Sequence, residues 1–336
     1  MNVHRLQRLL CTFATKRLAV IGDIMLDEFV WGRVCRVSPE APVPVVEVQS
    51  ETHYPGGAAN VARNLKPFCQ TVYIFGLIGR DSAGDCLARL LKDEGILTGY
   101  LVKQKNFSTV VKTRIVALHQ QIVRIDRENN GLSTADTRTT SKQVLEMFQQ
   151  LLPSLDGIIF EDYGKGFLNQ ELKDQLCHMA NGKGVFIAAD PSSRNLLDWT
   201  GVTVIKPNRS EVFDFAGVPS ALVNIANPVE DRQLLQACRR LQARWELPQL
   251  LITLGEQGML LIRPGFSPHY IPAHAKEVFD VSGAGDTTIA MYTLALCASA
   301  TPEEAAEISN HAASIVVGKL GTATLTAEEL KGSFEQ

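Results

Sequence analysis

The sequence has 336 residues, of which 45% are hydrophobic and 21% are charged, and 33 basic side chains nearly balance 36 acidic ones. This composition supports a buried core for one large domain or two ordinary ones, and it excludes a disordered or fibrous chain. The formal net charge of -3 gives no overall field for holding a nucleic acid or an anionic membrane, so we expect small-molecule partners.

Seven cysteines, an odd number, include no CxxC pair and no metal-ligand spacing with histidine. They predict reduced thiols that fill core space, with redox or thiol catalysis as the minor alternative.

The first 23 residues lack the continuous apolar stretch of a signal peptide, because basic residues interrupt them. The longest apolar run elsewhere, 287–302, is shorter than the about 20 residues that span a bilayer. We therefore expect a soluble cytoplasmic protein without a membrane partner.

The predicted elements alternate along the chain. A short amphipathic segment precedes the first of six compact apolar runs, which are typical of buried strands and lie at 17–21, 72–77, 157–160, 185–189, 202–205 and 250–253. Between them, 83–94 and 141–152 have the apolar spacing of amphipathic helices. This alternation predicts an α/β fold with a mostly parallel central sheet flanked by helices on both faces.

Two regions depart from this alternation. Segment 43–48 with its approach from 29–37, and the pair 110–117 and 121–126, alternate apolar with polar residues as half-exposed strands do. We assign them to a small separate β-sheet lying over one edge of the main domain. An antiparallel extension of the main sheet is the alternative.

The strongest chemical signal is the segment 280–288, DVSGAGDTT, directly followed by a long apolar helix. Gly283 and Gly285 permit tight backbone geometry, and the free N–H groups at a helix start converge on a point that attracts anions such as a phosphoryl group. Asp286 in the first turn is a candidate general base for an attacking hydroxyl. In the alternative interpretation, Asp286 only complements the helix dipole and the glycines serve packing.

A second group lies near the N-terminus: Asp23, Asp27 and the segment PGGAANVARN at 55–64. Adjacent glycines before a helix let the backbone approach a ligand, while carboxylate and amide side chains suit paired sugar hydroxyls. This pattern predicts a polyol pocket. Alternatively, Gly56 and Gly57 form only a turn and Asp23 only ends a strand.

Two weaker motifs follow predicted strands. In KPNRSE, at 206–211, Asn208 is also a plausible N-cap with Glu211 completing a capping box. In TLGEQG, at 253–258, the glycines can equally form a hairpin. The sequence has no GxxxxGK[ST], HExxH or GxSxG motif, and no GxGxxG after the first strand, which disfavours P-loop nucleotidases, zinc proteases, α/β-hydrolases and dinucleotide-binding oxidoreductases.

These motifs, in this order, resemble the ribokinase-like (PfkB) carbohydrate kinases from about residue 17 to the C-terminus. Ser282 stands where a threonine is typical of that family, and Lys206 stands where a small hydroxyl residue is common. The resemblance implies a ribokinase-like fold in which residues 1–336 form a single kinase domain. It also implies a small β lid whose strands are inserted at 28–50 and 104–127.

Four further segments, 36–46, 54–62, 162–166 and 317–322, resemble the members that phosphorylate the anomeric hydroxyl of D-glycero-β-D-manno-heptose 7-phosphate. Their product, the 1,7-bisphosphate, is a precursor of ADP-heptose for lipopolysaccharide. In many bacteria this kinase is fused to a nucleotidyltransferase, and because the sequence has no HxGH-type motif we expect a stand-alone kinase. The alternatives are a kinase of another sugar or sugar phosphate, and a non-catalytic sugar- or nucleotide-binding relative.

The resemblance also implies roles for individual residues. ATP and Mg²⁺ are the expected cofactors, and a monovalent cation is a further candidate ion. Asp286 would be the base, with the γ-phosphate on the N–H groups of Gly283, Ala284 and Gly285. ATP and the metal would contact Asn208, Arg209, Ser210, Glu211, Thr253, Gly255 and Gly258, with Glu211 acting on Mg²⁺ through water.

The sugar phosphate would contact residues of the polyol pocket and nearby cations. These are Asp23, Asp27, Arg36, Gly56, Gly57, Asn60, Lys112, Arg114, Arg124 and Lys165. The lid strands resemble those that pair between subunits in the family, and we expect a homodimer through them.

Overall fold

The computed structural model describes residues 1–118, 120–128, 133–219, 225, 227–274, 278–319 and 321–335. Its helices are α1 (Val3–Phe13), α2 (Ala58–Leu65), α3 (Ser82–Asp93), α4 (Thr134–Leu151), α5 (Gln170–Asn181), α6 (Arg209–Ala216), α7 (Arg232–Trp245), α8 (Ala284–Cys297), α9 (Pro302–Val317) and α10 (Ala327–Ser333). Its strands are β1 (Arg17–Gly22), β2 (Ile24–Val37), β3 (Pro44–Gly57), β4 (Thr71–Gly79), β5 (Leu101–Gln104), β6 (Val110–Ala117), β7 (Gln120–Arg127), β8 (Gly157–Glu161), β9 (Phe186–Asp190), β10 (Val204–Ile205), β11 (Gln249–Thr253), β12 (Met259–Ile262) and β13 (His269–Ile271).

Within the described residues, the main sheet has nine strands in the order β13-β12-β11-β10-β9-β8-β1-β4-β5. Neighbours from β11 to β5 are parallel, and the β11–β12 and β12–β13 pairs are antiparallel. All six predicted apolar runs lie in this sheet, which confirms the mostly parallel α/β prediction. The carboxyl ends of β1, β8, β9, β10 and β11 meet at one edge of the sheet, because these strands run in the same direction.

Helices cover both faces of this sheet. Along β1, Leu18 and Val20 pack into one hydrophobic cluster, whereas Ala19 and Ile21 pack into the other. Successive side chains of a strand point to opposite faces, so a strand covered on both sides is apolar throughout. This double burial explains why the main strands are compact apolar runs rather than alternating ones.

A separate four-stranded sheet has the order β3-β2-β6-β7. The prediction of a small second sheet is therefore confirmed, and the alternative of an extension of the main sheet is not. Strands β2 and β3 are longer than their polar alternation indicated: β2 begins directly after β1, and β3 ends at Gly57, where α2 starts. We call this sheet the lid. The start of β2 and the end of β3 thus lie at the carboxyl edge of the main sheet.

The cysteines bear out only part of their prediction. All seven are free thiols, and Cys69, Cys177 and Cys238 are buried. Cys11 and Cys35 are exposed, so they do not fill core space as predicted. Within the described part of the chain, no helix combines the length and apolar character needed to cross a membrane.

Candidate active site

A cavity of about 880 Å³ lies at the carboxyl edge of the main sheet. Its floor includes residues from four strand ends, and the first turn of α8 forms part of its wall. The strand-end residues are Glu161, Asp190, Lys206 and Thr253, and those of the helix start are Gly283, Ala284, Gly285 and Asp286. The topology therefore brings together motifs that are far apart in the sequence.

The glycine turn before α8 has the geometry that its residues predict. Gly283 is the N-cap in the left-handed region, with φ 82°, and α8 begins without a hydrogen bond from a capping side chain. A Cβ at Gly283 would lie 2.6 Å from Asn60 Nδ2, so both the backbone angle and the space require glycine. The first turn of α8 can thus direct backbone N–H groups at an anion in the cavity.

Asp286 is buried and held from two sides. Its Oδ2 accepts a 2.7 Å hydrogen bond from Asn60 Nδ2, and its Oδ1 accepts a 3.1 Å bond from the Tyr163 hydroxyl. Burial raises the pKa of Asp286 to about 6, although the hydrogen bond from Asn60 and the charge of Lys206 lower it. The carboxylate is therefore ionised at neutral pH and can receive a proton in a weakly acidic range.

Three carboxylates and one ammonium cluster beside the glycine turn. Glu161, Asp190 and Asp286 each offer an oxygen within 4.8 Å of the others, and Lys206 Nζ lies 2.7 Å from Asp190 Oδ2. Burial, followed by the charges of Asp190 and Asp286, raises the pKa of Glu161 well above its usual range. Burial lowers the pKa of Lys206, but its pairing with Asp190 raises it, and the net shift is upward.

Glu161 and Asp190 are site residues that the sequence analysis missed. Each directly follows a predicted apolar run and ends the strand that the structure shows, and the parallel register pairs them directly. A polar residue at the carboxyl end of such a strand is the sequence signal that could have identified them.

Asn208 and Glu211 form the capping box that was the alternative interpretation of their motif. Asn208 Oδ1 accepts from Glu211 N at 3.0 Å, and Glu211 Oε2 accepts from Asn208 N at 2.8 Å. Both residues also line the cavity. Burial raises the pKa of Glu211, while its bond with Asn208 lowers it. A structural role and a place in the cavity wall thus coexist in the same residues.

Arg209 and Ser210 have other partners. The guanidinium of Arg209 pairs with Asp231, and Ser210 Oγ donates to Asn208 Oδ1 at 2.7 Å. Among the described residues, the cavity lining includes neither of the two. Their predicted contact with the nucleotide thus finds no support in their position.

Thr253, Gly255 and Gly258 line the cavity beyond the capping box. Thr253 ends β11, and Gly255 and Gly258 lie in the turn of the antiparallel hairpin β11–β12, as their alternative interpretation predicted. Gly258 has φ 92°, and a Cβ there would lie 2.2 Å from Ile271 O. The cavity continues past this turn between two groups of residues: Ala273, His274, Val278 and Val281 on loops, and Asn310, Ala313, Ser314 and Val317 on α9.

Asp23 holds the backbone that carries Tyr163. Its carboxylate accepts from the N–H groups of Tyr163 and Lys165, both at 2.9 Å, and of Phe167 at 3.2 Å. Burial raises the pKa of Asp23, and these three bonds oppose that shift. Tyr163 also contacts Asp286. Asp23 therefore acts on the site indirectly, by fixing the backbone turn that carries Tyr163.

Asp27, Gly56 and Gly57 lie where the lid meets the main body. Asp27 Oδ1 accepts a 2.5 Å bond from Arg114 Nη1 in a largely buried ion pair. A Cβ at Gly56 would lie 2.1 Å from Asp27 Oδ2, and Gly57, with φ 60°, precedes α2. The glycine pair therefore makes a turn and also allows a close approach of the strand to Asp27.

Three of the five predicted phosphate-binding cations lie near one another. Lys112 Nζ lies 5.0 Å from the ring centroid of Tyr163, and burial lowers its pKa, as do the charges of Lys165 and Arg114. Lys165 Nζ contacts Glu128 Oε1 at 2.5 Å. The cluster places positive charge on the lid side of Tyr163.

The other two predicted cations are exposed. Arg124 pairs with Asp126 of its own strand at 2.8 Å, and Arg36 lies near the outer end of β2. Arg124 lies directly opposite Arg114 in the register of β6 and β7, but its guanidinium is engaged with Asp126.

Residues 15–329 match the pfkB family of carbohydrate kinases. The chain is also similar to the bifunctional protein HldE of Magnetococcus marinus, with 41% identity over 96% of this chain and 64% of that protein. The bifunctional protein HldE of Helicobacter pylori strain Shi470 is 39% identical over 94% of this chain and 65% of that protein. The chain thus spans about two thirds of the length of these curated relatives.

Among solved structures, phosphofructokinase-2 of Escherichia coli, in complex with substrates and products, superposes with a TM-score of 0.75 at 18% identity. The alignment covers 96% of this chain and 99% of that one. The ribokinase of Arabidopsis thaliana, complexed with ribose and ATP, has a TM-score of 0.72 at 18% identity, over 96% and 99% of the two chains. These similarities confirm the ribokinase-like fold.

Proposed function

Because the chain belongs to the pfkB family of carbohydrate kinases, we propose that it transfers the γ-phosphoryl group of ATP to a sugar hydroxyl. The proposed acceptor is the anomeric hydroxyl of D-glycero-β-D-manno-heptose 7-phosphate, and the product is the 1,7-bisphosphate of lipopolysaccharide precursor synthesis. One observation carries the reaction type: Asp286 lines the cavity beside the uncapped start of α8, held by Asn60 and Tyr163. The four sequence segments that resemble heptose 7-phosphate kinases support the choice of acceptor.

The reaction needs one proton acceptor and one anion cradle. The acceptor oxygen forms a bond to the γ-phosphorus, the bond from that phosphorus to the β,γ-bridging oxygen breaks, and ADP leaves. The proton of the attacking hydroxyl goes to the carboxylate of Asp286. The N–H groups of Gly283, Ala284 and Gly285 stabilise the charge on the peripheral phosphoryl oxygens.

The cavity fits ATP in size and chemistry. A volume of about 880 Å³ is within the range of small-molecule sites. We place the phosphates at the glycine turn and the adenosine along Thr253, Gly255 and Gly258, toward the apolar and histidine-lined end of the cavity. Arg209 and Ser210 would then act only through the fold of α6.

The residues present also fit Mg²⁺. Hard divalent cations prefer carboxylate oxygens and retain several waters, and Glu211 and Asp190 offer carboxylates in the cavity wall. We propose that Glu211 contacts the ion through water. The ion would neutralise charge on the ATP phosphates. A monovalent cation remains a further candidate ion.

The substrate phosphate would bind on the lid side of Tyr163, where Lys112, Arg114 and Lys165 gather. Asp23, Asp27, Gly56, Gly57 and Asn60 would surround the sugar. We include Arg36 and Arg124 as outer cations. Because both are exposed, we expect them to contribute less to binding of the substrate phosphate. Burial of Lys112 makes an added anion favourable there, since it compensates a partly desolvated charge.

We further propose that one kinase domain spans 1–336, with lid strands at 28–50 and 104–127, and that a homodimer forms through the lid. Apolar side chains of the lid are exposed, including Val37, Val48, Val123 and Ile125 at 43–65%. Exposed apolar strands are normally covered by a partner. A cytoplasmic location would supply ATP and keep the thiols reduced.

A substrate comparison tests this function. Purified protein with ATP and Mg²⁺ would be supplied with heptose 7-phosphate, fructose 6-phosphate or ribose, and ADP release would be measured. We expect the highest kcat/KM with heptose 7-phosphate. A higher kcat/KM with another sugar would show that this sugar, and not heptose 7-phosphate, is the acceptor. ATP binding without sugar-dependent ADP release would favour the non-catalytic alternative.

A further inference from the structure

Lys206 is a buried cation at the phosphoryl cradle whose charge has no role in the mechanism above. It directly follows β10, its N–H donates to Ala189 O at 2.9 Å, and only 4% of the residue is exposed. The residue nevertheless lines the cavity together with Gly285 and Asp286. The backbone of the sheet thus fixes the start of this side chain, and the side chain extends toward the start of α8.

Gly285 supplies an independent indication. Unlike Gly283, it is not in the positive-φ region, so its backbone conformation does not require glycine. A Cβ at Gly285 would lie 3.2 Å from Lys206 Nζ, which is tighter than ordinary van der Waals contact. The missing side chain therefore leaves room for the ammonium against the first turn of the helix.

The local charge balance argues for a ligand. The ammonium contacts Asp190 at 2.7 Å, and Glu161 and Asp286 lie in the same carboxylate cluster. Without Lys206, this cluster would repel the phosphates of a nucleotide. An ammonium has three N–H donors, so its contact with Asp190 leaves capacity for phosphate oxygens.

We propose that Lys206 is a catalytic residue whose ammonium binds the transferring γ-phosphoryl group, opposite the backbone N–H groups of the α8 start. Asp190 positions that ammonium. The proposal rests on the proposed kinase function and adds a fixed side-chain cation to it. Because the charge lies in a buried site, its attraction for the developing phosphoryl charge is stronger than it would be in water.

The alternative is a purely structural lysine that neutralises Asp190. The two roles differ in one binding property. A lysine that contacts the γ-phosphate favours ATP over ADP, whereas a structural counterion supports the site for both nucleotides equally.

The test compares ATP and ADP affinity by calorimetry, with Mg²⁺ and without sugar, in the wild-type protein and Lys206→Met. We expect the variant to lose at least about tenfold more affinity for ATP than for ADP, because a charge-assisted bond to the γ-phosphate is removed. In steady-state assays kcat should fall by about 100-fold or more with little change in KM for the sugar phosphate. An unchanged ATP-to-ADP affinity ratio in the folded variant would overturn the proposal.

Lys173→Met is the matched control. Lys173 is also a buried lysine, paired with Asp174 and donating to Thr200 O, but it lies on α5 away from the cavity lining. The Lys173→Met variant should leave the ratio of ATP affinity to ADP affinity unchanged. If Lys206→Met fails to fold, Lys206→Gln removes the charge with a polar side chain, and the same ratio decides. The ratio needs no sugar, so a failure of the proposed sugar specificity is distinguishable from a failure of this assignment.

Discussion

Asn60 Nδ2 donates to Asp286 Oδ2 at 2.7 Å, which joins the first turn of α2 to the first turn of α8 across 226 positions of sequence. The two helix starts belong to separate sequence motifs, one of which predicts a sugar site and the other a phosphate site. The hydrogen bond makes them one site, because a residue of the first sets the orientation and proton affinity of the carboxylate in the second.

The first prediction concerns the pH dependence of turnover. The bond from Asn60 lowers the pKa of Asp286 against the effect of burial, which raises it to about 6. Asn60→Ala removes that bond, so the pKa of Asp286 should rise and the acidic limb of the kcat profile should move to higher pH. The profile is measured by ADP release between pH 5 and 9. An acidic limb that stays in place would show that Asp286 does not govern it.

The second prediction concerns stability. The pKa of Asp286, about 6 in the folded protein, lies above its value of 3.8 in a model peptide. The folded state therefore binds the proton more tightly, so this group lowers the free energy of unfolding as pH rises from about 4 to 6. Asp286→Asn, a neutral side chain of the same shape, should be more stable than wild type above pH 7, by on the order of 3 kcal/mol.

Urea denaturation at pH 8 and pH 4.5 checks this sign. The stability difference between the two proteins should shrink at the lower pH, where the wild-type carboxyl group is protonated. A variant that is less stable than wild type at pH 8 would contradict the assignment of Asp286 as a desolvated carboxylate.

The third prediction concerns Tyr163, which the sequence analysis left without a role. Tyr163→Phe removes the 3.1 Å bond to Asp286 Oδ1 and should lower kcat by roughly tenfold, because the base loses one orienting contact. KM for ATP should change little. Tyr292→Phe is the control, since that hydroxyl donates to Gln249 inside the protein. Equal losses in both variants would indicate a general packing effect.

The fourth prediction concerns the second anion site. Lys112→Ala and Lys165→Ala should each raise KM for the sugar phosphate by about tenfold or more while KM for ATP stays near its wild-type value. Arg114→Ala should do the same, and it also leaves Asp27 without its ion-pair partner. Arg124→Ala serves as the comparison and should have a smaller effect, because Arg124 is exposed and pairs with Asp126. Equal increases in both KM values would argue against a separate phosphate site.

The fold was largely predictable because double burial makes each main strand an apolar run that is visible in the sequence. The lid was predictable because polar residues interrupt its apolar ones, as in β6, where Lys112 and residues 114–116 are only half-buried. The full length of the lid strands was not predictable, because β2 changes within a single strand from buried residues at Ile24 to exposed residues at Val37.

The glycine turn and Asp286 were predictable because their chemistry is written in consecutive residues. The contacts of Glu161, Asp190 and Lys206 were not, because they depend on which strands are neighbours and in what register. Tyr163 was hidden for a similar reason: its position depends on a turn that Asp23 holds from another strand end. Sequence motifs thus indicated the reactive groups, and topology determined which residues position them.

The most direct test of the account is phosphoryl transfer by Asp286→Asn with heptose 7-phosphate as acceptor, measured at saturating ATP and pH 8. We predict that the variant folds and binds ATP as wild type does, while its turnover falls by about 100-fold or more, the usual contribution of a positioned base. Turnover within a few-fold of wild type would contradict the central claim that Asp286 takes the proton of the attacking hydroxyl.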